Sequence, residues 1–154
     1  MFGDTKIKIV LDEGARMPSL AHDADGGYDL YARETQIVPA KESAIFDTGV
    51  HIELPSIYLS NGVYLDKYKT VGFLKSKSGL NIKHGITSEG VIDMGYTGSI
   101  RVKLYNNSGY DYKVNKGDKI SQLVILPIIT PKLERVESLE ETERGDGGFG
   151  STGR

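Results

Sequence analysis

The 154-residue chain contains no cysteine and no tryptophan. The first absence removes disulfides, cysteine-ligated zinc, iron–sulfur clusters and thiol nucleophiles together. An excess of either charge is also lacking: 19 Lys and Arg stand against 21 Asp and Glu, for a formal net charge of −2. A protein that coats nucleic acid carries a clear basic excess, so that class is set aside. No apolar run approaches the roughly 18–20 residues of a membrane span. The opening Met1-Phe2-Gly3-Asp4-Thr5-Lys6 lacks the basic-then-apolar layout of a secretory signal. Histidine is sparse, and His22, His51 and His84 are scattered, which reads as structural use. With 26% charged and 38% hydrophobic residues, a chain of this length suits one soluble domain. The expected compartment is the cytoplasm, or a host's cytoplasm if the source is viral.

What is abundant is glycine, at 19 residues, with turn residues recurring at short intervals. Between them polar and apolar residues alternate. Lys6 to Leu11, Thr48 to Leu54 and Tyr110 to Val114 follow this pattern, and Ser99 to Tyr105 follows it most cleanly. There Ile100, Val102 and Leu104 share one face and Arg101 and Lys103 the other. A period of two with turn punctuation predicts half-buried antiparallel strands. Ile120 to Ile129 is more continuously apolar, as in a strand covered on both sides or lying in a subunit interface. One short helix is expected near Leu80 to His84. Many short strands and little helix predict an all-β sandwich, jelly roll or small barrel.

Two segments break the pattern. Ser56 to Thr70 carries Tyr58, Tyr64 and Tyr68 among small and charged residues and reads as a long loop or an extra hairpin. Arg144 to Arg154 holds five glycines and, as its sole large apolar group, Phe149. Backbone entropy outweighs what one Phe buries, so this tail is either a disordered end or an arm that orders over a ligand.

Five stretches carry groups suited to chemistry. Asp23 to Ala32 sets carboxylates around a Gly-Gly turn, and Lys75 to Leu80 sets lysines, hydroxyls and a glycine before the helix. Solvated turn and ordinary N-cap are the bland readings; metal contact and phosphate binding are the sharper ones. In Gly90 to Gly98, Asp93 lies between an apolar pair and a glycine turn, as a turn former or a general base. Gly117 to Leu123 is a turn entering a strand, and the tail is the fifth stretch.

In this order the five stretches resemble the five motifs of the homotrimeric dUTP diphosphatases (dUTPases). Gly90 to Gly98 is similar to G-V-I-D-x-x-Y-x-G, and Arg144 to Gly153 to R-G-x-G-G-F-G-S-[ST]-G. The resemblance implies a distorted jelly-roll or β-barrel-like fold over 1–143, with 144–154 as an arm closing a neighbour's site. It implies a homotrimer with shared active sites. It also implies Mg²⁺-assisted hydrolysis of dUTP to dUMP and pyrophosphate, which keeps uracil out of DNA and supplies dUMP for dTMP synthesis. Asp93 would activate the attacking water, and Tyr96 would lie under the deoxyribose. The backbone of the hairpin around Gly85 to Ile92, with Gly90, Val91 and Ile92 as substrate-binding residues, would read the uracil edge. Lys77, Ser78, Gly79 and Gln122 would contact phosphate, with Lys103 also facing substrate. Asp29 would meet Mg²⁺ through water. Arg144 would grip the γ-phosphate and Phe149 would cover the uracil, with Gly150, Ser151 and Thr152 adding contacts from the arm.

Three departures stand out. Lys77 replaces the usual second-motif Arg, keeping the charge but losing the planar fork, so that Lys75 or Lys77 could share the phosphate contact. Lys119 replaces the usual fourth-motif Arg. The stretch from Pro55 to Lys77 is about a dozen residues longer than the family's, and its 56–70 insert is either a plain surface hairpin or a contact site for another protein. Two rivals remain: a dCTP deaminase, against which Lys103 stands where that chemistry needs Glu, and a regulatory protein built on the same fold.

Overall fold

The computed structural model describes residues 5–60, 62–63 and 65–147. Among these are eleven strands and one helix: β1 (Lys8–Leu11), β2 (Tyr28–Tyr31), β3 (Gln36–Val38), β4 (Ser43–Asp47), β5 (Val50–Glu53), β6 (Ile57–Ser60), β7 (Leu65–Lys75), α1 (Ser78–His84), β8 (Ile86–Ile92), β9 (Arg101–Asn106), β10 (Tyr112–Val114) and β11 (Lys119–Ile128). Every pairing is antiparallel. The main sheet runs β2-β11-β7-β8-β9-β4, with β6 pairing on β7; β1-β5 and β3-β10 form two ribbons. Together they make the expected all-β, jelly-roll-like fold.

The alternation in the sequence drives this arrangement. In β9, Val102 and Leu104 are fully buried, while Arg101, Lys103 and Tyr105 face out. They join Ile86, Ile100 and Ile120 in one hydrophobic core. Burial of each such side chain contributes roughly 1.5–3 kcal/mol. The helix starts two residues before the expected Leu80 and ends at Gly85, whose φ of 67° suits glycine and whose N–H donates to the Asn81 carbonyl. The 56–70 insert takes its hairpin form, Ile57 pairing with Tyr68 and Ser60 with Leu65.

The apolar run from Ile120 is central in the sheet, between β2 and β7. A bulge between Lys119 and Ser121 interrupts its alternation, so Ile120 and Ser121 are both buried. Its far end is less covered, with Leu126 exposed. Beyond Ile128, residues 129–147 form neither helix nor strand, and 129–146 are exposed throughout.

Candidate active site

Asp93 and Tyr96 sit where β8 and β9 part. β8 pairs with β9 only from Ile86↔Asn106 to Ser88↔Leu104, whereas Glu89 to Ile92 pair with β7. The hairpin therefore splays, leaving the β9 side of the Glu89–Ile92 backbone open. Here lies a shallow cleft of about 240 Å³ lined by Val91, Ile92, Asp93, Tyr96 and Arg101. Gly90 lies against Leu74, to which a Cβ would come within 3.1 Å. Lys103 is not in this lining; its ammonium lies 5.0 Å from the Tyr105 ring centroid on the outer face of β9.

The loop after β8 is shaped by short-range bonds. The Tyr96 N–H donates to the Asp93 carbonyl (2.9 Å), closing a turn that leaves the Asp93 carboxylate exposed. The Tyr96 hydroxyl donates to the Ser99 carbonyl (2.8 Å). The ring lies so close over Gly98 that a Cβ there would come within 2.6 Å of Oη.

A second group of candidates gathers around the β7–α1 connection. Across β2, β11 and β7, Asp29, Gln122 and Lys75 stand in register, and Glu89 continues the row on β8. Directly opposed residues share a face of the sheet. Asp29 is 1% exposed, and its two carboxylate oxygens meet Lys77 at 2.5 Å and Lys119 at 2.7 Å. Burial pushes this carboxyl up, but hydrogen bonds from Lys119 and Lys77 and their charges outweigh it and hold it below the ordinary range. Lys75 pairs instead with Glu89 at 2.6 Å. Ser78 and Gly79 open α1, with Lys77 at the N-cap and no side-chain cap; both are exposed.

The sequence offered no signal for the hydroxyl network beneath this connection. Ser88 N–H donates to the Ser76 hydroxyl (2.9 Å), which donates to the Ser88 carbonyl (3.1 Å). The Ser88 and Ser121 hydroxyls lie 2.9 Å apart, and Ser121 donates to the Lys75 carbonyl (3.1 Å). Three serines thus pin the segment that presents Lys77, Ser78 and Gly79. Arg101 and Glu89 are further site neighbours the sequence did not single out.

The two groups are apart. Ile92, beside Asp93, pairs with Gly72, while Lys77 lies two residues past Lys75. At ~3.3 Å per residue this separates them by on the order of 15 Å. Arg144 is farther along the chain, its Nε donating to the Gly147 carbonyl (2.8 Å). Phe149, Gly150, Ser151 and Thr152 lie outside the described residues.

The dUTPase family model matches residues 13–153. The chain belongs to the dUTPase family. Among its relatives, the deoxyuridine 5'-triphosphate nucleotidohydrolase of Clostridium acetobutylicum is 41% identical over 151 residues, covering 96% of this chain and 95% of that protein. The nucleotidohydrolase of Crocosphaera subtropica is 43% identical over 152 residues, covering 96% and 99%. In structure, the chain is similar to the dUTPase of Staphylococcus bacteriophage 80alpha with dUPNHPP: TM-score 0.81, 32% identity, covering 97% and 99%. A variant dUTPase of phage phi11 of S. aureus, which coordinates a structural Mg(II) ion, matches with TM-score 0.74 and 32% identity over 89% of this dUTPase.

Among the described residues, no three of His, Asp and Glu gather into a metal-ligand cluster. Asp29 is a hard oxygen donor of the kind Mg²⁺ takes. Each of its two oxygens already meets a lysine ammonium, which disfavours direct coordination. Such a carboxylate would suit contact with Mg²⁺ through water better than direct coordination.

Proposed function

We propose that this dUTPase hydrolyses dUTP to dUMP and pyrophosphate at a site made by the splayed β8–β9 hairpin together with the Lys77–Gly79 segment of another copy. The observation that carries this reading is the open main-chain edge of Glu89–Ile92 beside Asp93 and Tyr96. Fixed backbone donors and acceptors there read the uracil edge, and a cytosine, with donor and acceptor exchanged, leaves them unpaired. Tyr96 forms the floor for the sugar, where a ribose 2′-hydroxyl collides with the ring.

Asp93 acts as general base. The oxygen of a water attacks the α-phosphorus, its proton passes to the Asp93 carboxylate, and the bond to the oxygen bridging α and β breaks, releasing pyrophosphate. Ser78, Gly79 and Gln122 hold the phosphates, Lys77 adds local positive charge, and Arg144 grips the γ-phosphate while Phe149 covers the base. Mg²⁺, when bound, would supply further charge neutralisation at the triphosphate. Asp29 would meet such an ion through water, and it holds Lys77 and Lys119 in place.

The separation of Asp93 and Lys77, on the order of 15 Å at ~3.3 Å per residue, supports a site completed by a second copy. Leu133, Val136 and Leu139 are exposed in the segment before the arm, which suits burial against a neighbouring copy in a trimer. Full turnover by a species sedimenting as one chain would refute the sharing.

Gly98→Ala tests the sugar floor. The added methyl displaces the Tyr96 ring, an overpacking that costs roughly 1–3 kcal/mol. The expected result is a fall in kcat/KM for dUTP of about tenfold or more, with weaker discrimination against UTP. Unchanged kinetics on both nucleotides would remove Tyr96 from sugar selection.

A further inference from the structure

The loop that carries Asp93 and Tyr96 is held from one side by polar groups of β4, β5 and their connection and by Asp12 just past β1, and His51 is at the centre. Its Nδ1 lies 2.9 Å from the Thr97 carbonyl and its Nε2 lies 3.2 Å from Asp12. Thr97 separates Tyr96 from Gly98, the residue on which the Tyr96 ring rests. The next residues are tied to the same strands. Ser99 donates to Asp47, Gly49 N–H donates to the Ser99 hydroxyl (3.0 Å), and Thr48 donates to the Ile100 carbonyl (2.7 Å). We propose that His51 is a positioning residue for the dUTPase reaction, clamping the Thr97 end of the Asp93–Tyr96 loop, and that the clamp is complete only when its imidazole is protonated. This rests on the functional reading above.

The chemistry follows from the two partners, because a carbonyl oxygen and a carboxylate both accept. Only the imidazolium has a donor on each nitrogen. In the neutral ring, one nitrogen turns a lone pair on Asp12 or on the Thr97 carbonyl, and that contact is lost. The surroundings favour the cation. The Thr97 carbonyl, Asp12 and, at longer range, Asp47 raise the His51 pKa above the ordinary histidine value, against a smaller effect of burial. Arg33 also faces this cluster, 3.3 Å from Asp12 and 3.8 Å from Asp47, and tempers their charge. On β5 itself Glu53 is paired with Lys8 of β1 at 2.9 Å. The clamp is therefore engaged at acidic pH and releases as pH rises through the raised value.

The test uses the full-length protein and its His51→Gln, His51→Ala and Asp12→Asn variants. kcat/KM for dUTP and for UTP is measured across pH, alongside NMR titration of the His51 ring and of the Gly98 amide, whose peptide contains the Thr97 carbonyl. In the wild type kcat/KM is expected to fall about threefold to tenfold, one hydrogen bond's worth, through an inflection above the ordinary histidine value. The Gly98 amide should shift with the same midpoint. Asp12→Asn should move both midpoints down. His51→Gln, which like the neutral ring offers a donor at one end only and cannot titrate, should hold the alkaline kcat/KM at every pH and flatten both curves. His51→Ala should sit at the lower, alkaline level at every pH and admit UTP more readily. An inflection that persists in His51→Gln would overturn the proposal, as would a Gly98 amide that ignores the His51 titration. If the wild type leaves dUTP untouched, the functional reading fails, and the NMR titration still decides the clamp.

Discussion

Asp93→Asn is expected to leave a folded protein that binds dUTP and turns it over about 10²- to 10⁴-fold more slowly, the usual worth of a positioned general base. Folding survives because the native role of this residue in the loop is a main-chain one. Its carbonyl accepts the Tyr96 N–H, and Asn suits that turn as well as Asp does. The carboxylate itself is exposed at the cleft. Losing it removes the proton acceptor without opening a cavity or orphaning a buried partner. Pyrophosphate release should collapse while calorimetric binding of dUTP stays within a few-fold of wild type. Turnover within about tenfold of wild type would mean that another group takes the proton.

Asp29→Asn is expected to act through stability and through the phosphate side of the site. The substitution keeps the shape but leaves Lys77 and Lys119 facing a neutral amide in place of a carboxylate that is almost fully buried. Breaking a fully buried pair costs ~3–5 kcal/mol. Here the lysine side chains are 23% and 42% exposed and can turn to water, so about 2 kcal/mol is expected. The pH dependence has a definite sign. The Asp29 carboxyl is held below its unfolded value, so its contribution is fully present above about pH 4 and is lost as pH falls through the folded-state value. Wild-type and variant denaturant midpoints should differ by a constant amount from pH 5 to 8 and converge in acid. A gap that widens in acid, or is absent at pH 7, would contradict the ion-pair description. At neutral pH the variant should also show a raised KM, because Lys77 loses the carboxylate that anchors its ammonium.

The sequence announces some of this and conceals the rest. β9 and β10 are legible because each strand buries one face, so alternation survives in the residues. β11 reads as a strand, but its bulge is hidden: nothing local says that Ile120 and Ser121 both turn inward. The start of α1 escapes because Ser78 and Gly79 form helices poorly, yet the first turn tolerates them, since its N–H groups need no partner four residues back. The 56–70 insert, polar and aromatic by turns, suits a loop as well as a hairpin; pairing with a β7 extended toward it settles the outcome. The site residues are legible only through their likeness to the dUTPase motifs. What holds them is long-range. Asp29 meets two lysines from β11 and the β7–α1 connection, and Ser76, Ser88 and Ser121 come from three separate segments. His51, which the sequence suggested was structural, lies against the loop of Asp93 and Tyr96.

The most direct test offers the purified protein dUTP, dCTP, dTTP and UTP, each with and without Mg²⁺, and measures pyrophosphate release. Fast, Mg²⁺-dependent release from dUTP alone is the predicted result, as the proposed roles of the Glu89–Ile92 edge in selecting uracil and of Tyr96 in selecting deoxyribose require. No release from dUTP, or equal release from dUTP and dCTP, would contradict it.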